Sequence, residues 1–280
     1  MKKILVATDF SESANNAAEY AINLAKEMNS EVVLLHVYHV PVPDPVVAIP
    51  FISPTELENL NEVALLKDVT ELEKKTGIIV KHQLEMGFAV TEILALENKF
   101  DLIVMGMKGA NGLSEVFFGS ISTDVMKKTK KPLLLIPENA KYSGLKNIVF
   151  ACDFDISTAI KTIHPLKELV EIFDSKLLIL NVTHKNQVPS FNESISGLRL
   201  ENSLGSINHS YHFPENENLT EEINHFSAIH EANLITIVPH RHTIIDRLFH
   251  ESTSKRLAFQ TDIPLLALPD MHKSIPVYAL

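Results

Sequence analysis

Apolar positions along this chain follow two alternating rhythms. Largely apolar runs occupy residues 4–8, 32–37, 102–105 and 133–136, the pattern of strands buried on both faces, and a further strand is predicted over residues 78–84. Between them, apolar residues recur every three or four positions, as on one side of a helix. Ser11 or Ser13 is suited to cap a helix carrying Ala14, Ala17, Ala18, Ala21 and Leu24 on one side. Residues 55–75 carry a second stripe of Leu57, Leu60, Ala64, Leu65, Val69 and Leu72. Shorter helices are predicted over residues 90–98 and 120–128. Residues 40–54 hold Pro41, Pro43, Pro45, Pro50 and Pro54, which predicts an irregular loop. Its Val46, Val47, Ile49, Phe51 and Ile52 lean towards packing against a neighbour. Strands alternating with helices imply a parallel sheet covered on both faces.

The same rhythm then starts again. Residues 3–9, ending in Thr8-Asp9, have a counterpart in residues 146–153, ending in Cys152-Asp153. The run Pro132-Leu133-Leu134-Leu135-Ile136-Pro137 is echoed by Pro264-Leu265-Leu266-Ala267-Leu268-Pro269. Asp9 and Asp153 lie 144 positions apart, Pro132 and Pro264 only 132, so the second copy is 12 residues shorter inside. Matched openings and endings indicate a tandem duplication. The second copy is predicted to have strands over 148–151, 177–182, 207–213, 234–238 and 265–268, and helices over 158–173, 219–230 and 252–259. A polar linker, residues 138–144, separates domains at 1–138 and 145–280. The fold class expected is α/β, with two tandem five-stranded parallel-sheet domains. Edge-to-edge pairing of the two last strands would cover both apolar edges.

Composition narrows the function classes. The 280 residues carry a net charge of −10, which argues against general nucleic-acid binding and against an anionic membrane surface. No apolar run reaches the roughly 18 residues of a membrane span. Asp9 interrupts the stretch where a signal peptide needs its apolar core. Cys152 is the sole cysteine, so no intrachain disulfide can form, and a cytoplasmic location is the natural expectation. Cys152 itself reads as an inert small hydrophobe and His36 as a hydrogen-bonded core residue.

Glycine points to the chemistry. Of nine glycines, Gly106, Gly109, Gly112 and Gly119 fall within 14 residues. They follow the fourth strand and end where a helix begins. In an open parallel sheet, ligands sit beyond the carboxyl ends of the strands. Gly106 and Gly109 would let backbone N–H groups face a phosphate. Gly119-Ser120 opens the next helix, whose free N–H groups and dipole favour an anion. Ser120 and Ser122 hydroxyls add donors, and Lys108 a cation. Asp9 ends the first strand on the same sheet edge, placed to accept ribose hydroxyls. Val37 ends the second strand and offers backbone groups and an apolar wall to a base. Neither the usual phosphate loop nor the dinucleotide glycine pattern is present. Turn glycines and a helix-capping serine would leave a similar trace, so a plain strand–helix connection remains open on the residues alone.

The segment Gly106-x2-Gly109-x9-Gly119-Ser120, with Thr8-Asp9-Phe10-Ser11 and Leu34-Leu35-His36-Val37, resembles the universal stress protein family. The resemblance runs over both copies, as in tandem-type members. It implies a Rossmann-like, adenine nucleotide alpha hydrolase-like fold. It also implies binding of ATP, or of ADP or AMP, with Mg²⁺. By that match Thr8, Asp9, Val37, Met105, Gly106, Lys108, Gly109, Gly119, Ser120, Ile121 and Ser122 line the nucleotide. It implies an intramolecular pseudo-dimer, with further homodimerisation as an expectation.

The second copy departs from the pattern. Its matching loop has no glycine, Pro239 falls where Gly106 would be, and Glu251 puts a negative charge near the helix start. ATP is therefore not expected there in the same manner. His240, His242 and His250, with Asp246 or Glu251, are candidate zinc ligands, against a solvated polar loop or an anion site using Arg241 and His242. Three functions follow. The first is a nucleotide-binding protein in stress response or signalling, with no catalytic residues assigned. The second is a slow Mg²⁺-dependent ATPase using Asp9 or Asp124 and Lys108. The third is a scaffold whose second copy docks an unknown protein partner.

Overall fold

The computed structural model describes residues 1–40, 53–107, 119–152, 160–183, 191–239 and 261–269. The first copy runs β1 (Lys3–Thr8), α1 (Glu12–Met28), β2 (Glu31–Tyr38), α2 (Pro54–Thr76), β3 (Lys81–Met86), α3 (Ala89–Leu96), β4 (Leu102–Gly106), α4 (Ser120–Lys128) and β5 (Leu133–Ile136). The second runs β6 (Asn147–Ala151), α5 (Ile160–Phe173), β7 (Lys176–Leu180), α6 (Phe191–Leu204), β8 (His209–His212), α7 (Leu219–Ile229), β9 (Leu234–Ile237) and β10 (Leu265–Ala267).

All ten strands form one sheet in the order β3-β2-β1-β4-β5-β10-β9-β6-β7-β8. Every neighbouring pair is parallel except β5 and β10, which run antiparallel with Leu134 opposite Leu266. The two five-stranded units thus join through their last strands, and each covers the other's apolar edge. Within each unit the strand order reverses once, at β1/β4 and at β6/β9.

Alternation along the strands sends side chains to two cores. Ile4, Val6 and Leu34 pack beneath α1 and α2 with Ala17, Ala21 and Leu65, and this layer continues into the second unit through Phe150 and Leu166. Leu5, Ile103 and Leu135 face the opposite layer with Ile93, Val125 and Phe226. At roughly 25 cal/mol per Å² of apolar surface, these layers are the dominant favourable term in holding the sheet.

The duplication is visible in hydrogen bonds as well as order. Lys2 and Lys3 N–H both donate to Asp101 Oδ2, and Lys146 and Asn147 N–H both donate to Asn233 Oδ1. Ser30 Oγ donates to Met1 O, and Ser175 Oγ to Leu145 O. The internal shortening lies in the second crossover, where α2 has 23 residues and α6 has 14.

Three boundaries differ from the sequence reading. Residues 191–204 form α6, in which Leu200 and Leu204 are buried. β3 starts at Lys81, because Gly77 ends α2 at φ 72° and Val80 N–H bonds Glu73 Oε1 instead of a strand. β8 is likewise shorter than residues 207–213. Of the predicted loop 40–54, residues 41–52 lie outside the described residues and Pro54 already opens α2; the predicted helix 252–259 also lies outside them.

Candidate functional site

The strand reversal at β1/β4 opens a crevice beyond the carboxyl ends of two adjacent strands. Val6 pairs with Val104, so Asp9 and Met107 leave the sheet side by side. Three elements meet there: the β1–α1 turn, the end of β4, and the N-terminus of α4.

The β1–α1 turn is tightly organised. Asp9 Oδ1 accepts from Ser11 N–H at 3.1 Å and from Ser11 Oγ at 2.6 Å. Ser11 Oγ in turn accepts from Ala14 N–H at 3.2 Å, capping α1. Phe10 adopts a left-handed φ of 64°, unusual for a side-chain-bearing residue. That conformation leaves Asp9 exposed at the crevice rim. Thr8 is buried, its carbonyl accepting from His36 Nδ1 at 2.9 Å.

Gly106 leaves room for the neighbouring helix. A Cβ there would sit 2.7 Å from Ser13 Oγ and 3.0 Å from both Ser13 C and Ser13 O. The missing side chain lets β4 close against the first turn of α1. Gly106 is not among the residues with left-handed φ, so the demand is for space alone. Ser13 Oγ is buried beside it, with no hydrogen-bond partner among the described residues.

Beyond β4, Met107 N–H donates to Ile136 O and Gly119 N–H to Met107 O at 2.7 Å. The latter bond closes the base of the 108–118 connection and fixes where α4 begins. Thr123 N–H makes the first bond inside α4, to Gly119 O. The amides of Ser120, Ile121 and Ser122 precede it and point out of the helix N-terminus. Among the described residues no side chain caps this end, and its first turn holds no acid. Ser122 is buried with its hydroxyl donating to Gly119 O at 2.9 Å, so that proton is not offered to a ligand as the sequence suggested. Ser120 and Ile121 are exposed. Met105 is packed in the core under the crevice, and Val37 is half-buried against the same layer. Lys108 and Gly109 lie outside the described residues.

An anion fits this end of α4: uncapped amides, the helix dipole and an absence of nearby acid in the first turn act in one direction. Among the described residues, no group of three or more His, Cys, Asp or Glu is arranged to hold a metal ion. Asp124 is turned to the outer face of α4, 3.8 Å from Lys128.

Register corrects one point in the second unit. Ile4 pairs with Leu102, and Ile148 with Leu234, so Gly106 corresponds to Val238 and Pro239 to Met107. Val238 is fully buried, a side chain where the first unit has none. His240, His242, His250, Asp153, Asp246 and Glu251 lie outside the described residues.

Comparison with known proteins gives the lineage. The universal stress protein family model matches residues 1–137. A universal stress protein of Methanocaldococcus jannaschii is 35% identical over 146 residues, covering 50% of this chain and 84% of the relative. A Synechocystis universal stress protein is 23% identical over 299 residues, 95% of this chain and 99% of the relative. The crystal structure of a universal stress protein from Archaeoglobus fulgidus superposes with a TM-score of 0.67 at 18% identity, over 95% of this chain and 96% of that one. Among the described residues, no helix is long and apolar enough to cross a membrane. The reversed strand order, the turn that carries Asp9 and the likeness to these relatives lead to one statement: the chain belongs to the universal stress protein family.

Proposed function

We propose that residues 1–138 bind an adenine nucleotide, ATP or its di- or monophosphate, with Mg²⁺ entering on the phosphates. The observation that carries this reading is the uncapped N-terminus of α4 facing the β1/β4 crevice across from Asp9. Phosphates take the amides of residues 120–122, with Lys108 and Gly109 on the connection that precedes them. The ribose takes Asp9, and the base lies against Val37. Residues 145–280 are a degenerate copy, because the loop corresponding to the glycine-bearing connection has no glycine and Glu251 falls near the start of the next predicted helix. Bound nucleotide favours one conformation or assembly of the chain over another through differential affinity, in a stress-response or signalling role. Catalysis is not part of the proposal. The test is twofold. Mass spectrometry of gently denatured, purified chain should release an adenine nucleotide. Turnover of added ATP with Mg²⁺ should be negligible beside binding. Release of no nucleotide together with no measurable ATP binding refutes the reading, and fast Mg²⁺-dependent turnover lost in Asp9→Ala replaces it with the ATPase.

A further inference from the structure

We propose that His36 is a positioning residue for the crevice, and that its charged ring holds the Asp9 turn in its binding geometry. This rests on the nucleotide reading above. His36 is buried on β2, and both ring nitrogens face acceptors. Nδ1 lies 2.9 Å from Thr8 O, and Nε2 lies 3.0 Å from Asn61 Oδ1 on α2. A carbonyl only accepts, so the first contact requires a proton on Nδ1. Asn61 cannot offer its amide nitrogen instead. Its Nδ2 donates to Leu57 O at 2.7 Å, and turning the group over would set Oδ1 against that carbonyl. The second contact therefore requires a proton on Nε2. Only the doubly protonated ring makes both bonds, tying β1 to α2 across β2.

The ring also supports Phe10, with centroids 4.1 Å apart. Phe10 is the residue held at φ 64° immediately after Asp9. His36 thus touches the turn on both sides of Asp9, at the Thr8 carbonyl and at the Phe10 ring. Losing a proton removes one of its two anchors and loosens the support for that strained residue.

The second unit shows the same device without the charge. Asn181, one residue past β7, donates Nδ2 to Cys152 O at 2.9 Å, one residue past β6. That bond matches His36 to Thr8 O by register and does not titrate. The charged groups around His36 are few. Asp68 on α2 interacts with it electrostatically. His82 on β3 is its diagonal neighbour and is paired with Glu62 of α2 at 3.1 Å. Asp9 is on the turn that it supports.

The experiment uses the full chain, its His36→Asn variant and its Asn61→Leu variant. ATP with Mg²⁺ is titrated calorimetrically from about pH 5.5 to 8.5, across the histidine range. In parallel, the backbone amides of residues 9–11 and the His36 ring are followed by NMR without nucleotide. The wild-type affinity should weaken as pH rises, by roughly two- to tenfold, the weight of one hydrogen bond. His36→Asn should copy the second unit, bind at a nearly constant affinity, and show amides that do not move. Asn61→Leu keeps the histidine, removes the second acceptor, and should flatten the profile too. In the wild type, the amides should titrate with the ring at one midpoint. A ring that titrates while amides 9–11 stay still, or parallel affinity profiles in all three proteins, overturns the proposal. If none of the proteins binds ATP at any pH, the nucleotide reading fails, and the ligand-free amide titration still decides the role of His36.

Discussion

Replacing Gly106 with Ala separates two explanations for the same glycine. If Gly106 exists to bring backbone close to a phosphate, the variant folds normally and only binding suffers. The structure adds a packing demand that predicts a loss of stability as well. The added Cβ meets Ser13 Oγ at 2.7 Å and the backbone atoms Ser13 C and Ser13 O at 3.0 Å. The hydroxyl can rotate away, but the backbone of the first turn of α1 cannot move without disturbing its cap. Overpacking of this kind costs about 1–3 kcal/mol. At about 2–4 °C per kcal/mol for a chain of this size class, the midpoint should fall by about 2–12 °C. Thermal unfolding followed by circular dichroism measures it. Ser13→Ala in the same chain removes only the hydroxyl clash, so the double variant should recover part of the loss. A Gly106→Ala midpoint within about 1 °C of the wild type refutes the packing argument.

Three further outcomes follow from specific contacts. Ser11→Ala deletes the α1 cap and the hydroxyl donor to Asp9 while keeping the backbone N–H bond, and should cost about 1 kcal/mol in denaturant unfolding. Glu97→Ala strips a buried acceptor from Thr129 Oγ1 at 2.7 Å and Lys130 N–H at 2.9 Å, and should destabilise by about 1–3 kcal/mol. His212 is held below its ordinary value of 6.5 by burial first, then by His230 and Lys176. The unfolded chain then binds the proton more readily, so its contribution to stability is present above pH 6.5 and lost as pH falls. Unfolding midpoints measured from about pH 7.5 to 5 should drop less steeply in His212→Asn, and equal slopes would discount this histidine.

Much of the fold was legible because central strands in a parallel sheet are apolar on both sides. β1, β2, β4 and β5 each announce themselves as short apolar runs, and their counterparts do so again in the second copy. Edge strands carry no such signal: β3 reads Lys-His-Gln-Leu-Glu-Met, and its start was misplaced. α6 escaped notice because serine and Gly197 dilute its stripe. His36 and Cys152 are buried as expected, the former with two hydrogen bonds. The site was harder to read. A glycine needed for close approach looks the same in sequence whether a ligand or a neighbouring helix does the approaching, and Gly106 proves to accommodate Ser13. In sequence Ser122 reads as a ligand donor, yet a serine at that helix position can equally bond back to its own turn, as it does to Gly119 O. The alignment of Pro239 with Gly106 was off by one, because sequence alone does not supply the β6–β9 register that matches Gly106 to Val238.

The duplication makes the central claim countable. Isothermal titration of the full chain with ATP and Mg²⁺ should give one nucleotide per chain, abolished or strongly weakened by Asp9→Ala. Two equivalent sites, or saturable binding that Asp9→Ala leaves untouched, would contradict a single working crevice in the first unit.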